Sequence, residues 1–271
     1  MACTPPDKRF RFGKNWKRFR SLIHNERIEE AEKSLRHMLA CDQLNGKDFL
    51  DIGCGSGLFS LAARRLGARV CSFDFDRDSV ECTQDLKEHF ARNDEQWRIC
   101  RGSVLDRAFI SSLGSYDIVY AWGVLHHTGN MLTAMDHAAL PVKAGGIVFV
   151  ALYNDQGAVS RIWHLIKRTY CSGMAGRVIT SSFFFPGIIM ACFIKDICTL
   201  HNPLGRYREY KNKRGMSILY DWIDWLGGYP FETARPEDVV SFYQQRKFRL
   251  EKEVLTRGWG NNQFVFRKGE P

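Results

Sequence analysis

The sequence contains no Cys-x-x-Cys pair, although nine of its 271 residues are cysteine. Structural zinc sites and disulfide frameworks usually show such paired spacings, so neither is expected. An odd number of cysteines would also leave a free thiol in an oxidising compartment. The first eleven residues lack the apolar core of a secretory signal peptide. These absences predict a protein of the reducing cytoplasm.

No run of apolar residues reaches the roughly 20 that a helix needs to cross a bilayer. One run, residues 183–194, has twelve apolar or small residues and is interrupted by Pro186 and Gly187. We therefore predict no transmembrane helix. Two interpretations of this run stay open: a buried helix in a cap over the core, or a segment that docks on a surface and gives access to a lipid-linked substrate.

Acidic residues are scarce in two stretches, and the formal charge of +9 is concentrated there. Residues 8–20 contain seven basic side chains and no acidic one, and residues 161–214 contain ten basic against two acidic. Any single lysine is typical of a solvated helix face. Together the clusters indicate an anionic partner, such as a phosphorylated sugar, a lipid headgroup or a membrane surface.

What the chain does contain is a short apolar strand followed by a glycine-rich turn and a helix. The segment reads Phe49-Leu50-Asp51-Ile52-Gly53-Cys54-Gly55-Ser56-Gly57. Three glycines at alternate positions let the backbone bend sharply and approach a ligand without a Cβ in the way. The helix that follows, residues 58–66, directs its first amide groups toward the same ligand. This arrangement predicts a nucleoside-binding turn.

Asp74 ends the next predicted strand, about 20 residues after the first glycine, where a carboxylate can accept hydrogen bonds from both hydroxyls of a ribose. A dinucleotide fingerprint of the form G-x-G-x-x-G that starts at Gly53 would require a glycine at position 58. That residue is Leu58. NAD is therefore disfavoured as the cofactor.

The segment Asp51 to Gly57, together with Asp74, resembles the first two motifs of class I S-adenosylmethionine-dependent methyltransferases, and most of all the ubiquinone-biosynthesis type of small-molecule O-methyltransferase. The resemblance implies S-adenosylmethionine as the cofactor, with Asp51, Gly53, Gly55, Gly57 and Asp74 in contact with it. It also implies an α/β fold of the Rossmann-like kind. That fold is a seven-stranded, mostly parallel sheet with an antiparallel final strand and helices on both faces.

The remaining strands are predicted from apolar runs bounded by turn residues. They lie near residues 97–102, 116–122, 147–152, 248–255 and 263–267, and the last two form a hairpin. Residues 141–146 are predicted to be a helix-ending turn. The organisation follows as an N-terminal lid and first helix (1–45), a cofactor-binding core (46–154), a helical cap insertion (155–235) and a C-terminal hairpin that completes the sheet (236–271).

The turn Gly102-Ser103-Val104-Leu105-Asp106 resembles the segment that contacts adenine in this family, which places Ser103 and Val104 near the base. Family members often carry an acid directly after the glycine, whereas this chain has Ser103 there and its carboxylate at Asp106. Asp106 therefore either contacts adenine or caps the helix that follows.

Four aromatic residues and one amide complete the candidates. Trp122 ends the fourth predicted strand and is expected to border the cofactor. Trp16 is expected either to close a lid over the cofactor or to anchor the N-terminal segment on the core. Tyr153 and Asn154 emerge at the carboxyl end of the fifth strand, and Tyr229 belongs to an aromatic stretch of the insertion. These three are predicted to contact the acceptor, with core packing as the alternative for Tyr229.

His126 and His127 follow the fourth strand, and the ligand crevice of an open parallel sheet lies at the carboxyl ends of its strands. A hydroxyl acceptor must lose its proton near the time of methyl transfer, and an imidazole suits that task. Adjacent side chains point in different directions, so one histidine is expected to face the acceptor, and His127 is preferred. The alternative is that both are structural and that catalysis is alignment alone. No metal site is predicted, because neighbouring histidines without a set of carboxylates lack ligand spacing.

The whole pattern predicts a cytoplasmic methyltransferase for a small-molecule or lipid-linked acceptor, preferentially at a hydroxyl oxygen, with peripheral contact to the inner face of a membrane. Two alternatives stay open: methylation of a sugar or glycan, and a non-catalytic scaffold that binds S-adenosylmethionine. Nucleic acid is disfavoured as a partner. The chain has no recognisable RNA-binding appendage and no N/D-P-P-Y/F tetrapeptide after the fourth strand.

Overall fold

The computed structural model describes residues 23–199, 223, 225–258 and 260–270, and these residues divide into two compact units. The first unit comprises the described residues up to Gln156 and those from Glu232 onward, and the second runs from Gly157 to Phe231. Trp16 and the rest of the predicted N-terminal lid lie outside the described residues.

The helices and strands agree closely with the predicted order. The first unit contains α1 (Asn25–Leu39), β1 (Asp48–Ile52), α2 (Leu58–Arg65), β2 (Arg69–Asp74), α3 (Arg77–Phe90), β3 (Trp97–Arg101), α4 (Arg107–Ser112), β4 (Tyr116–Trp122), a short 3-10 helix (Leu125–His127), α5 (Met131–Ala139), β5 (Val142–Tyr153), α8 (Pro236–Gln244), β6 (Phe248–Val254) and β7 (Asn261–Lys268). The second unit contains α6 (Ala158–Tyr170) and α7 (Met174–Cys198).

The seven strands form one sheet in the order β3-β2-β1-β4-β5-β7-β6. Strands β1 to β5 pair in parallel, and β7 runs antiparallel to both of its neighbours. This confirms the predicted fold, including the antiparallel last strand. The chain changes its direction of winding between β1 and β4, and ligands of open α/β sheets bind at such a switch point.

The central strands are apolar on both faces because helices cover both sides of the sheet. Phe49, Leu50 and Ile52 of β1 are all fully buried. This burial holds the end of β1 rigidly, so the turn that follows begins from a fixed point.

Strand β5 begins earlier than the sequence predicts. Residues 141–146 were expected to be a turn, yet Val142 already pairs with Tyr116, and the register then shifts before the pairing continues at Ile118. The would-be Cβ of Gly146 lies 2.9 Å from the carbonyl oxygen of Lys143, so only glycine fits this close approach. The glycine pair therefore marks an irregularity within a strand rather than the end of a helix.

Helix α7 differs most from its prediction. It is one helix of 25 residues that continues through Pro186, and none of the residues in its most apolar stretch is buried. The interpretation as a buried cap helix is therefore wrong. Pro186 and Gly187 interrupt the apolar run in the sequence, but the helix continues through both residues. Among the described residues, α7 is the one helix that is long and apolar enough to cross a membrane.

Candidate functional site

The glycine turn after β1 adopts a backbone that suits glycine alone. Gly53, Gly55 and Gly57 all have positive φ angles, of 71°, 54° and 79°. A Cβ on Gly53 would lie 2.3 Å from Cγ2 of Val124, and one on Gly57 would lie 2.8 Å from Cγ2 of Thr83. The turn therefore packs directly against the segment after β4 and against α3, which leaves backbone rather than side chains at its surface.

Asp74 joins this turn at the end of β2. One carboxylate oxygen accepts a hydrogen bond from the backbone N–H of Gly55 at 3.1 Å, and the other accepts from the N–H of Asp76 at 2.9 Å. Burial raises the pKa of Asp74 to about 6. A carboxylate offers about four acceptor positions. The backbone N–H of Phe75 is a further hydrogen-bond donor to this carboxylate. Part of its acceptor capacity therefore remains for a ligand hydroxyl such as those of a ribose.

Asp51 lies beneath the turn rather than at its surface. Its side chain is buried and accepts a hydrogen bond from Oγ of Ser60 at 2.5 Å. Oγ of Ser60 lies 2.7 Å from Oγ of Ser72, which in turn accepts from the indole N–H of Trp97 at 2.8 Å. This chain of polar contacts ties β1, α2, β2 and β3 together below the site. Burial, and secondarily the negative charge of Asp74, raises the pKa of Asp51 to about 7.

The raised pKa of Asp51 has a consequence for stability. A carboxyl group that titrates near 4 when unfolded and about 7 when folded favours folding most at acidic pH, and this contribution is lost as the pH rises through 7. For the cofactor-free protein, we expect Asp51→Asn to gain stability relative to the parent between pH 5 and pH 8. The gain should be about 2 to 4 kcal/mol. Urea unfolding at several pH values measures it.

Asp48→Asn is the matched control for this experiment. The Arg69 guanidinium, followed by the Lys143 ammonium, lowers the pKa of Asp48, so this residue is ionised throughout the same range. The difference between Asp48→Asn and the parent should stay flat from pH 5 to pH 8. A flat difference for Asp51→Asn as well would show that Asp51 does not titrate in this range.

The turn after β3 is held by its own hydrogen bonds. Oγ of Ser103 accepts from the N–H of Leu105 at 3.2 Å, and the carbonyl oxygen of Val104 lies 2.8 Å from Nδ1 of His137. The Asp106 carboxylate accepts from the N–H of Phe109 at 3.1 Å and thereby caps α4. The capping interpretation of Asp106 is confirmed. Ser103 and Val104 remain predicted neighbours of the adenine.

The two histidines lie in the 3-10 helix after β4 and differ in exposure. His126 is fully buried, whereas His127 is partly exposed. Their rings lie 4.4 Å apart between centroids, and the Tyr153 ring lies 4.0 Å from that of His126 and 5.4 Å, at a right angle, from that of His127. The end of β5 therefore contributes an aromatic wall to the histidine turn. Val124, which contacts the glycine turn, directly precedes this helix.

Asn154 has a structural position. Its amide nitrogen donates to the carbonyl oxygens of Thr256 and Gly258 at 3.4 and 3.3 Å, and its amide oxygen accepts from the side chain of Asn262 at 3.0 Å. These bonds attach the loop between β6 and β7 to the end of β5. The side-chain amide of Asn154 already forms these structural hydrogen bonds. Contact of this amide with the acceptor stays a prediction.

Trp122 ends β4 with 41% of its surface exposed, and its indole N–H lies 3.4 Å from the side-chain oxygen of Gln263. Its ring stacks at 6.4 Å on that of Phe59 in α2. Tyr229 belongs to the second unit, where its ring lies 5.7 Å from that of His164. The predicted roles of Trp122 and Tyr229 stay predictions. In the described part of the chain, no group of three or more potential ligand side chains could hold a metal ion.

Glu232 is a residue of the site that the sequence analysis missed. Its N–H donates to the carbonyl oxygen of His126 at 3.0 Å, and its carboxylate accepts from the N–H of Met131 at the start of α5, also at 3.0 Å. It therefore clamps the histidine turn from both sides. No local pattern could have indicated it, because 101 residues separate Glu232 from Met131.

An open sheet with this strand order, a left-handed glycine turn at its switch point and an acid at the end of β2 define a nucleoside-binding enzyme of the Rossmann-like class. The model of a family described as "Methyltransferase domain" matches residues 23–184. This chain belongs to the class I S-adenosylmethionine-dependent methyltransferases. The cofactor of that class is S-adenosylmethionine.

Two relatives illustrate the likeness in sequence. The ubiquinone biosynthesis O-methyltransferase of Vibrio parahaemolyticus is 29% identical over 113 residues, which cover 42% of this chain and 46% of the relative. The enzyme of the same description from Brucella melitensis is 33% identical over 113 residues, which cover 41% and 43%. The chain thus matches somewhat under half the length of these curated relatives.

Solved structures share the fold at low identity. Magnesium protoporphyrin IX methyltransferase from Synechocystis, solved with S-adenosylhomocysteine bound, has a TM-score of 0.54 and 14% identity, over 89% of this chain and 83% of that one. An O-methyltransferase family protein from Burkholderia thailandensis has a TM-score of 0.52 and 10% identity, over 83% and 51%. At such identities these likenesses concern the fold alone.

Proposed function

We propose that this protein transfers a methyl group from S-adenosylmethionine to a hydroxyl oxygen of a small or lipid-linked aromatic acceptor. One observation carries the proposal: Val124 joins the glycine turn to the histidine turn, so a cofactor site and a general base would share one crevice. The ubiquinone O-methyltransferases that the chain resembles support the choice of oxygen as acceptor atom. We place this activity in the cytoplasm, at the inner face of a membrane.

The residues of the turn fit the cofactor. Three glycines with positive φ leave room for a nucleoside, and Asp74 keeps acceptor capacity for the ribose hydroxyls. Ser103 and Val104 would border the adenine, and Trp122 would border the rest of the cofactor. Asp51 would act from below by holding the strand ends in register. When bound, S-adenosylmethionine supplies an electrophilic methyl group.

The chain's own residues would then align the acceptor and receive its proton. His127 is the proposed general base, because it is the partly exposed member of the pair, whereas the buried ring of His126 packs on Tyr153. Tyr153 would support the acceptor ring beside the base. Glu232 would act as a positioning residue, since it holds the backbone of His126.

Substitution of the two histidines tests the base. We expect His127→Ala to lower kcat for a hydroxyl acceptor by about 100-fold or more, because general base catalysis typically contributes that much. The acid limb of the pH profile of kcat should vanish with it. Affinity for S-adenosylhomocysteine should be unchanged. His126→Ala should instead lower thermal stability, since it opens a cavity in a buried site. Full activity of His127→Ala would show that His127 is not the base and that the enzyme acts by aligning the acceptor with the methyl group.

The activity itself is tested with S-adenosylmethionine that carries a labelled methyl group. The acceptors offered are catechol and quinol phenols, phosphorylated sugars and RNA. We expect label in the phenolic oxygen and none in RNA. Label in the sugars would favour the glycan alternative and overturn the aromatic acceptor. Tight binding of S-adenosylhomocysteine without transfer to any acceptor would instead indicate a non-catalytic scaffold.

A further inference from the structure

Helices α6 and α7 of the second unit expose more large apolar side chains than a water-facing surface requires. On α7 successive side chains of this kind are one, three, four or six residues apart, and at 3.6 residues per turn they all fall on one broad face of the helix. They are Met174, Val178, Ile179, Phe183, Ile189, Met190, Phe193, Ile194 and Ile197. Exposure reaches 79% for Phe183 and 59% for Met190. We call this set the α7 apolar face.

The contact between α6 and α7 does not account for this face. The two helices pack through other residues: the rings of Trp163 and Phe184 meet edge to face at 5.8 Å, and Trp163 also contacts Trp225 at 4.7 Å. On the outer side of α6, Val159, Ile162 and Leu165 are exposed at intervals of three residues. The two helices therefore pack against each other through aromatic residues, and their outer surfaces carry further apolar side chains that this packing does not cover.

The charges around the face indicate what covers it. Residues 178–194 contain no charged side chain at all. Arg161 and Arg168 on α6 and Arg177 at the start of α7 are exposed, whereas Asp196 is buried. A broad apolar face on helices whose exposed charged side chains, among those the structure describes, are arginines matches a bilayer surface that carries anionic headgroups.

We propose that the α7 apolar face docks in the plane of an anionic membrane surface, with α7 immersed at the level of the headgroups and upper acyl chains. The helix is long enough to span the bilayer, but α6 packs beside it, and a spanning arrangement would carry exposed Arg161 and Arg168 to membrane depth. Charged side chains there are costly. An in-plane arrangement keeps them among the headgroups. The use of this contact to reach a lipid-linked acceptor rests on the proposed function, whereas the docking itself does not.

Flotation of the full chain with lipid vesicles tests the docking. One set of vesicles contains phosphatidylglycerol in phosphatidylcholine, and the other contains phosphatidylcholine alone. We expect binding to the first set at low salt and weaker binding to the second. The double variant Phe183→Asp with Phe193→Asp should lose at least about a hundredfold in partition, because it replaces two apolar side chains that would be immersed in the membrane with charged ones. Phe183→Ser is the milder second variant and should lose a smaller, measurable amount.

Leu132→Asp is the matched control, because Leu132 is an apolar residue on α5 of the first unit whose exposure, 62%, lies between those of Phe193 and Phe183, 48% and 79%. It should bind vesicles as the parent does. Arg161→Gln with Arg168→Gln should reduce binding to anionic vesicles and its dependence on salt. Calorimetry with S-adenosylhomocysteine on every variant separates this proposal from the proposed function. Retained cofactor binding with lost flotation supports docking whether or not methyl transfer is found.

Four outcomes would overturn the proposal. The first is a parent protein that does not bind anionic vesicles at low salt. The second is a Phe183→Asp, Phe193→Asp variant that floats as well as Leu132→Asp. Resistance of the membrane-bound protein to alkaline carbonate extraction would show a spanning helix instead. The last outcome is a parent protein that is a dimer and binds no vesicles, and a double variant that is a monomer. This result would show that the α7 apolar face binds a second copy of the chain.

Discussion

Asp74→Ala is expected to reduce the affinity for S-adenosylhomocysteine by about 100-fold or more. The Asp74 carboxylate would accept hydrogen bonds from the ribose hydroxyls, and a hydrogen bond to a charged group contributes roughly 1.5 to 3 kcal/mol. The substitution also removes the acceptor that holds the N–H of Gly55, so the turn itself loosens. Isothermal titration calorimetry measures the loss.

The same residue predicts how cofactor binding depends on pH. The pKa of Asp74 is raised to about 6, so its carboxylate is ionised at neutral pH and becomes protonated as the pH falls below 6. Affinity of the parent should fall over that interval, and this component should be missing in Asp74→Ala. Glu88→Gln is the control, since Glu88 is a carboxylate on α3 whose side chain is 66% exposed. Equal affinities of Asp74→Ala and Glu88→Gln would remove Asp74 from the cofactor site.

Gly53→Ala is expected to destabilise the protein by about 2 to 5 kcal/mol and to abolish cofactor binding. A left-handed backbone at a residue other than glycine costs about 1 to 2 kcal/mol. Overlap of the new Cβ with Val124, only 2.3 Å away, adds about 1 to 3 kcal/mol. For a chain of this size, this corresponds to a loss of roughly 5 to 15 °C in Tm. Differential scanning fluorimetry with and without S-adenosylhomocysteine reports both effects.

Comparison with Gly123→Ala separates the steric part of this effect from the backbone part. Gly123 has nearly the same φ angle, 74° against 71°, but its would-be Cβ has no neighbour closer than 3.9 Å. Gly123→Ala should therefore lower the free energy of unfolding only by the cost of the left-handed backbone, about 1 to 2 kcal/mol. The double variant Gly53→Ala, Val124→Ala should recover part of the lost stability, because its nearest remaining contact is 2.8 Å. Equal losses for Gly53→Ala and Gly123→Ala would show that the close approach to Val124 is unimportant.

The elements that the sequence predicted well are those whose causes are local. The fourth strand has the predicted bounds, Tyr116–Trp122, and the helix predicted over residues 58–66 is observed as Leu58–Arg65. Apolar alternation, capping side chains and glycine turns act within a few residues, so a short stretch of sequence contains the whole signal. The predicted turn at residues 141–146 is the counterexample, since its glycines serve an irregular pairing with β4.

For the site, the sequence by itself determined the glycine turn, the acid of β2 and the position of both histidines at the carboxyl end of the sheet. Each of these follows from backbone preferences and the direction of parallel strands. Only the tertiary structure decided that Asp51 lies beneath the turn, that Glu232 clamps the histidine turn and that α7 is exposed rather than buried. These features depend on contacts between residues far apart in the chain, and on which face of a helix or strand packs against another element. Local sequence preferences determine neither the long-range contacts nor the packed face.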